Sequence, residues 1–347
     1  MKRTTLGHSD IEVSNLCLGS MSWGTKNTQA EAFAQIDRSL ERGVDFIDTA
    51  EMYPTYPVKA ETVGDSEVII GNWFAQSKRR GDVVIATKVS GANGGFVRDG
   101  KGYDSTVIAT TIESSLKRLQ TDMIDLYQLH WPNRGSYHFR KYWDFDASGQ
   151  DTAEVEAHMI DVLQAMGRAV EQGKIRAFGL SNESTWGTAK WLHLADKHGL
   201  PKPVSVQNEY SLLCRIADTD LAELCHHENV GLLPFTPMIA GVLGAEHGPD
   251  RIPEGSRRSR EETLGGRIND NLWPATAAYR AVADKYGLDV HQMALAWTLT
   301  RPFVASSIFG ASSDAQLETA LEAGDLVLSD EVMGDIRDTY RKYPMPI

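Results

Sequence analysis

Short apolar runs alternate with helix-period patterns eight times along this chain, and that alternation limits its fold more than any other feature. The runs cover 16–18, 44–47, 83–86, 124–129, 175–179, 204–207, 230–235 and 304–308. They read as near-continuous hydrophobic segments, as parallel strands covered on both faces do. Between them, apolar residues recur at helical spacing over 29–42, 66–76, 106–119, 154–171, 185–197 and 218–227, then over 274–286, 290–300 and 314–323. That spacing predicts helices, and Gly43, Gly173 and Gly199 stop three of them. The helix over 314–323 is expected to be the last. A hairpin is expected at the start, with 3–6 and 11–13 flanking the turn Gly7-His8-Ser9-Asp10. Regular alternation argues a parallel α/β fold, and eight units argue a (β/α)8 TIM barrel. An open doubly wound sheet is the rival, weakened because no G-x-G-x-x-G follows a strand. No Gly/Ser- or Pro-rich linker divides the chain, so one domain over 1–347 is expected.

The totals narrow the partners. A net charge of −12 disfavours nucleic acid and anionic lipid as partners. Three cysteines with no CxxC read as reduced thiols of a cytoplasmic protein. The N-terminus carries no apolar stretch of the signal-peptide kind, and no run approaches the ~18 apolar residues of a membrane span. Nothing in the residues sets the oligomeric state, and a homo-oligomer stays open.

The long connections, at 51–65, 90–104, 131–153 and 237–272, all follow strands. In a barrel that puts them on one rim, the face where active sites are built. Three charged or titratable residues close strands there: Asp48 in FID, Lys88 in IATK and His130 in LYQLH. Tyr53 follows Asp48 by one loop-turn. One such residue is usually a solvated cap; several on one rim suggest chemistry. A phenol titrates near ~10, and a neighbouring ammonium is expected to lower that value. Asp48 can hold Lys88, and His130 can bond a substrate oxygen or share Tyr53's proton. The set can give a proton to a developing oxyanion. It contains no nucleophile and no metal-ligand spacing, so hydride must come from a cofactor.

The stretches LCLGSMSWG, FIDTAEMYP, IATK, SLKRLQTDMIDLYQLHWP, GKIRAFGLSNES, VQNEYSLL and FGASSDAQL together resemble the aldo-keto reductase family along nearly the whole chain. Within the family it resembles the Tas-like bacterial branch, related to the potassium-channel β-subunit type. The resemblance implies a catalytic tetrad of Asp48, Tyr53, Lys88 and His130. It also implies NADP(H) bound extended over the strand C-termini, and a small-molecule carbonyl substrate. Gly19, Ser20 and Met21 would approach the nicotinamide ribose and pyrophosphate. Ser181, Asn182 and Gln207 would bond the carboxamide, and Phe235 would lie against the nicotinamide face. Pro237, Met238, Gly241 and Leu243 would line the pyrophosphate, and Gly310, Ser312 and Gln316 the adenosine end. Without the resemblance, Ser181-Asn182 also reads as a helix cap and Phe235 as a core aromatic.

The sequence departs from the family pattern at the phosphates. Glu246 stands where a lysine is usual and Ala320 where an asparagine is. FGASSDAQLETA carries Asp314 and Glu318 but no base. A 2′-phosphate calls for Arg or Lys, which leaves Arg257 and Arg258 of PEGSRRSR. On the substrate side, Trp23, Tyr56 and Trp131 could form an aromatic pocket with Tyr137, Phe139, Tyr142, Trp143 and Phe145. Equally, the aromatic loop could anchor itself on the barrel. Arg134, Arg140 and Lys141 hint at an acidic or phosphorylated substrate. The reading that emerges is an NADP(H)-dependent reductase of aldehydes or ketones with Tyr53 as proton donor. The alternative is an NADP(H)-binding regulatory or redox-sensing barrel with slow turnover. A metal-dependent hydrolase lacks the strand-end ligands it would need. Glu51 has no assignable role.

Overall fold

The computed structural model describes residues 1–347 except residue 56. The chain opens with an antiparallel hairpin, β1 (Arg3–Thr5) and β2 (Glu12–Ser14). Eight parallel strands follow: β3 (Leu16–Gly19), β4 (Phe46–Asp48), β5 (Val84–Val89), β6 (Ile124–Leu129), β7 (Ile175–Ser181), β8 (Ser205–Gln207), β9 (Gly231–Leu232) and β10 (Ser307–Phe309). The helices between them are α1 (Gln29–Glu41), α2 (Asp65–Ser77), α3 (Ser105–Leu119), α4 (Thr152–Glu171), α5 (Thr185–His198), α6 (Leu221–His227), α7 (Leu272–Lys285) and α8 (Val290–Leu299). Two more, α9 (Asp314–Ala323) and α10 (Asp330–Lys342), close the chain. Their starts are legible in the residues. Thr28 and Glu31 form a capping box on α1, and Asp104, Asp151, Ser184, Asp289, Ser313 and Ser329 each cap a helix through the side chain.

The strands lie in the order β10-β3-β4-β5-β6-β7-β8-β9, a curled parallel sheet of (β/α)8 type. Between its two ends, Leu232 bridges Val304 in parallel. Leu232 N–H donates to Phe303 O at 2.9 Å, Ala305 N–H to Leu232 O at 2.9 Å, and Ile308 N–H to Pro234 O at 2.8 Å.

Two apolar cores follow from this arrangement. The larger lies between strands and helices, where Trp73, Trp191, Trp297 and Phe178 are fully or almost fully buried. The smaller, Cys17, Phe46, Ala86, Leu126, Ala177 and Ile308 of the sheet strands with Leu233 just after β9, is joined by Leu6, Ile11 and Val13 of the hairpin and its turn. The hairpin thus caps the sheet at the end where strands begin. Gly7 is required there: its φ is +58°, and a Cβ would sit 2.1 Å from Val204 O.

Three expectations shift. The apolar run 230–235 yields only a two-residue strand, because Pro234 has no N–H for the ladder. The last strand lies at Ser307–Phe309, not 304–308. And α9 is not the last helix. In α10 only Val332 and Ile336 are buried, so its apolar signal is one narrow i, i+4 contact in a charged segment. Among the described residues, no helix is long and apolar enough to cross a membrane, and no group of three or more His, Cys, Asp or Glu could hold a metal ion.

Candidate active site

The ladder sets the rim residues side by side. Gly19 pairs with Asp48 across β3 and β4, and Lys88 with Gln128 across β5 and β6. Lys88 is fully buried. Its Nζ donates to Asp48 Oδ2 at 2.6 Å and to Thr49 O at 2.7 Å, and it lies 4.9 Å from the centroid of the Tyr53 ring. Asp48 Oδ1 accepts from Gln207 Nε2 at 2.9 Å and from Gln128 Nε2 at 3.2 Å. The Tyr53 and His130 rings meet edge-on with centroids 5.8 Å apart. Removing one partner of such a buried ion pair typically costs about 3–5 kcal/mol, because the other charge is left uncompensated.

Electrostatics sorts these groups. Burial pulls the Lys88 ammonium down, but Asp48 and Tyr53 more than offset it, and its pKa ends above the usual value. Burial raises the Tyr53 phenol, and the Lys88 ammonium opposes that only in part. The expected downward shift of the phenol is therefore reversed: desolvation of the phenolate outweighs the attraction of the ammonium. His130 lies well below the usual imidazole range, first through burial and then through Lys88, so the ring is neutral.

Gly19 has no room for a side chain. A Cβ there would meet Ile308 Cγ2 at 3.1 Å, and one on Gly310 would face Gly19 O at 3.8 Å. Ser20 N–H donates to Asp48 O at 3.0 Å, and Met21 O accepts from Thr55 N–H at 2.9 Å. Ser181 Oγ donates to Gln207 O at 2.9 Å. Asn182, at φ +51°, donates through Nδ2 to His130 O at 3.0 Å and to Ser181 Oγ at 3.1 Å. Among the buried polar atoms of this neighbourhood, Ser20 Oγ, His130 Nδ1 and Asn182 Oδ1 have no hydrogen-bond partner, nor do Thr49 Oγ1 and Ser90 Oγ. Phe235 and Met238 are half-buried and Pro237 is buried. Gly241, at φ +87°, faces open space. Ser312 donates from N and Oγ to Gln316 Oε1, both at 2.9 Å.

Several expected site residues have other work. Trp23 is fully buried in the outer core with its indole N–H on Gln35 Oε1 at 3.0 Å, so it forms no pocket wall. Leu243 is likewise fully buried in that core, and its side chain lines nothing. Arg134 is paired with both oxygens of Glu183, and Arg140 with Glu209, which Arg267 also grips through two nitrogens. Neither arginine stands as an unpaired cation for an acidic substrate; Lys141 is exposed. Arg258 is buried and donates to Gly248 O, Arg251 O and Pro249 O, holding its own loop together. Arg257 is within electrostatic reach of Tyr53, and burial pushes its guanidinium down to about 10.

Trp131 packs on His130 at 4.7 Å between centroids and donates to Ala92 O at 2.8 Å. Phe139 stands edge-on to it at 6.0 Å. In the aromatic loop Tyr137, Tyr142 and Phe145 are half-buried, whereas Trp143 is 83% exposed. Tyr56 lies outside the described residues.

Two features escaped sequence reasoning. Glu51 is buried and takes a clear part: its Oε1 accepts from Ser90 N–H at 2.5 Å, and Arg98 Nη1 reaches its two oxygens at 2.6 and 2.7 Å. Arg98 also donates to Ser90 O, and Glu51 N–H to Lys88 O. The loop carrying Tyr53 is thereby clasped to the segment that follows Lys88. The second feature is Gln128. β6 reads Ile-Asp-Leu-Tyr-Gln-Leu, and a glutamine in phase with the inward Leu126, on the opposite face from Asp125, was a signal that could have found it.

The family model described as aldo/keto reductase matches residues 15–341. The chain belongs to the aldo/keto reductase family. This aldo/keto reductase is 40% identical over 349 residues to "Protein tas" of Escherichia coli (strain K12), covering 100% of this chain and 99% of the relative. It is 31% identical over 345 residues to the oxidoreductase YrpG of Bacillus subtilis (strain 168), with 98% and 96% covered. It is 29% identical over 358 residues to norsolorinic acid reductase B of Aspergillus parasiticus, with 97% and 83% covered. It is therefore an oxidoreductase of that family.

Proposed function

We propose that this aldo/keto reductase reduces an aldehyde or ketone to the alcohol with NADPH. In this reading it works in the cytoplasm, as one domain whose sheet closes into a full (β/α)8 barrel at the Leu232–Val304 seam. The observation that carries the reading is the buried Lys88 ammonium held between the Asp48 carboxylate and the Tyr53 ring, with neutral His130 edge-on to the same phenol.

The residues present fit a nicotinamide cofactor. Ser20 Oγ, His130 Nδ1 and Asn182 Oδ1 are buried without partners, and such atoms usually mark a missing ligand or water. Ser20, Ser181, Asn182, Gln207 and Phe235 would hold the nicotinamide end. Gly19, Met21, Pro237, Met238 and Gly241 would lie along the chain of the cofactor, and Gly310, Ser312 and Gln316 at its adenosine end. Arg257 is the cation of its loop within reach of Tyr53. When bound, the cofactor supplies hydride to the carbonyl carbon.

The protein's part is the proton and the charge. The raised pKa keeps Tyr53 protonated at neutral pH, so it acts as an acid. Its O–H donates to the carbonyl oxygen as negative charge develops there. Lys88 stabilises the phenolate that results, and Asp48 keeps the ammonium in place. Neutral His130 presents a ring N–H to the same oxygen and orients it. Trp131, packed on His130, borders the substrate.

The test is NADPH oxidation across a panel of aldehydes and ketones, with NADH in parallel. Turnover with NADPH is expected. A panel-wide failure despite tight NADPH binding would overturn the reductase reading, and a clear preference for NADH would overturn the choice of cofactor.

A further inference from the structure

Glu51 stands two residues before Tyr53, where the chain leaves the sheet. The ladder between β4 and β5 runs on past Asp48: Thr49 N–H donates to Ala86 O at 2.9 Å and Glu51 N–H to Lys88 O at 3.1 Å. The chain then turns away, with Tyr53 N–H on Ala50 O at 3.0 Å. The next alternate N–H on the β5 side, that of Ser90, meets the Glu51 carboxylate at 2.5 Å instead of a main-chain oxygen. Arg98 completes the joint. Its Nη1 spans both Glu51 oxygens, and its Nη2 donates to Ser90 O at 2.5 Å. The residue before it, Val97, packs in a small apolar cluster with Ala50, Met52 and Tyr53. The loop after β5 therefore holds the Tyr53 turn twice, by an apolar contact and by an ion pair. Arg98 and Asp99 have φ of +48° and +53°, a conformation that residues with side chains seldom adopt unless contacts impose it.

We propose that Glu51 is a positioning residue for the reaction: clasped by Arg98 and Ser90, it fixes where the Tyr53 turn leaves the sheet and so aims the phenol. The proposal deepens the functional reading above and rests on it. On one side of Glu51, Lys88 Nζ holds Thr49 O at 2.7 Å; on the other, Gly64 N–H holds Tyr53 O at 3.0 Å. With the carboxylate released, the turn between those points is free to shift, and the phenol moves relative to the carbonyl oxygen it must protonate. A misplacement of about 1 Å can cost on the order of 10²-fold in rate. Glu51 touches neither cofactor nor substrate in this scheme and acts through Tyr53.

The experiment is a mutant cycle between Glu51 and Tyr53 in the full chain, read by single-turnover NADPH oxidation with enzyme in excess, so that slow variants still give a rate. The substrate is the best aldehyde or ketone of the panel. Glu51→Gln should slow turnover about 10- to 100-fold, with NADPH affinity and carbonyl KM within about 2-fold. In the Tyr53→Phe background the same change should cost less than about 2-fold more, because the donor it positions is already gone. A merely structural role would cost the same in both backgrounds, and that result overturns the proposal, as does an unchanged rate in Glu51→Gln. Should Glu51→Gln fail to fold, Glu51→Gln with Arg98→Met removes both charges together and leaves neither buried alone; the cycle is then run with that pair and judged by the same outcomes. Failure of the unmutated protein to turn over any carbonyl of the panel would overturn the functional reading itself, and this inference with it.

Discussion

Around Lys88 the carboxylate, ammonium and amide groups are buried and hold fixed partners, whereas around Ser312 and Gln316 the polar side chains bond one another at the surface. The acidic residue beside them, Glu318, is taken by Arg38 and Arg42. The contrast teaches where this fold invests rigidity. A proton donor works only if its partners are fixed before the reaction, because reorganisation at that moment raises the barrier. A nucleotide tail can instead be gripped by exposed groups that order as it binds, each contributing little. In the proposed reading this is the adenosine end, and the carboxylates of Asp314 and Glu318 beside it make the difference sharper.

The largest effect should come at the buried end. Tyr53→Phe removes one proton and almost no volume, and should lower kcat by about 10²–10⁴ while NADPH affinity stays within about 2-fold. Unchanged turnover would break the comparison, because the buried end would then hold no proton donor.

A smaller effect concerns pH. His138 is buried with Nε2 at 3.1 Å from Glu183 O, next to Asn182, and burial lowers it to about 4 from 6.5. The unfolded chain binds this proton more readily than the folded one. Stability from this group is therefore complete above 6.5 and is lost as pH falls through about 4. The loss integrates to about 3 kcal/mol. Denaturant titrations at pH 7 and 4.5 should show most of it, and His138→Gln should flatten the slope. An equally steep slope in that variant would shift the cause to other groups, among them His130, which burial also holds neutral.

The smallest effect belongs to the exposed end. Replacing Ser312 and Gln316 together by alanine should weaken NADPH by less than about 3-fold. A loss of 100-fold would show that this end is as preorganised as the other.

Much of this was legible beforehand, for reasons that can be named. Asp48, Lys88 and His130 stood out because a charged or titratable residue ending an apolar run is unusual. A parallel sheet then necessarily brings its strand ends to one rim. The hairpin and nine of the helices announced themselves by turn residues, caps and apolar spacing. Trp23 misled because an aromatic after a strand reads the same whether it lines a pocket or fills a core. Arg134 and Arg140 misled because their carboxylate partners, Glu183 and Glu209, come from later β-to-α segments. Glu51 had no reading for the same reason: Arg98 lies in the next loop.

The sequence by itself determined the alternating parallel architecture, the rim on which chemistry could gather, and the residue types gathered there. These follow from local periodicity and from strand ends, which need no knowledge of distant contacts. Only the tertiary structure decided the sign of the Tyr53 shift, because burial and the Lys88 charge oppose each other and their balance depends on how much water the folded rim excludes. Only it decided, too, which amides face Asp48 and which arginines are already paired. Hydrogen-bond direction and ion pairing are properties of side chains from separate strands and loops, and they exist only once the sheet has brought those segments together.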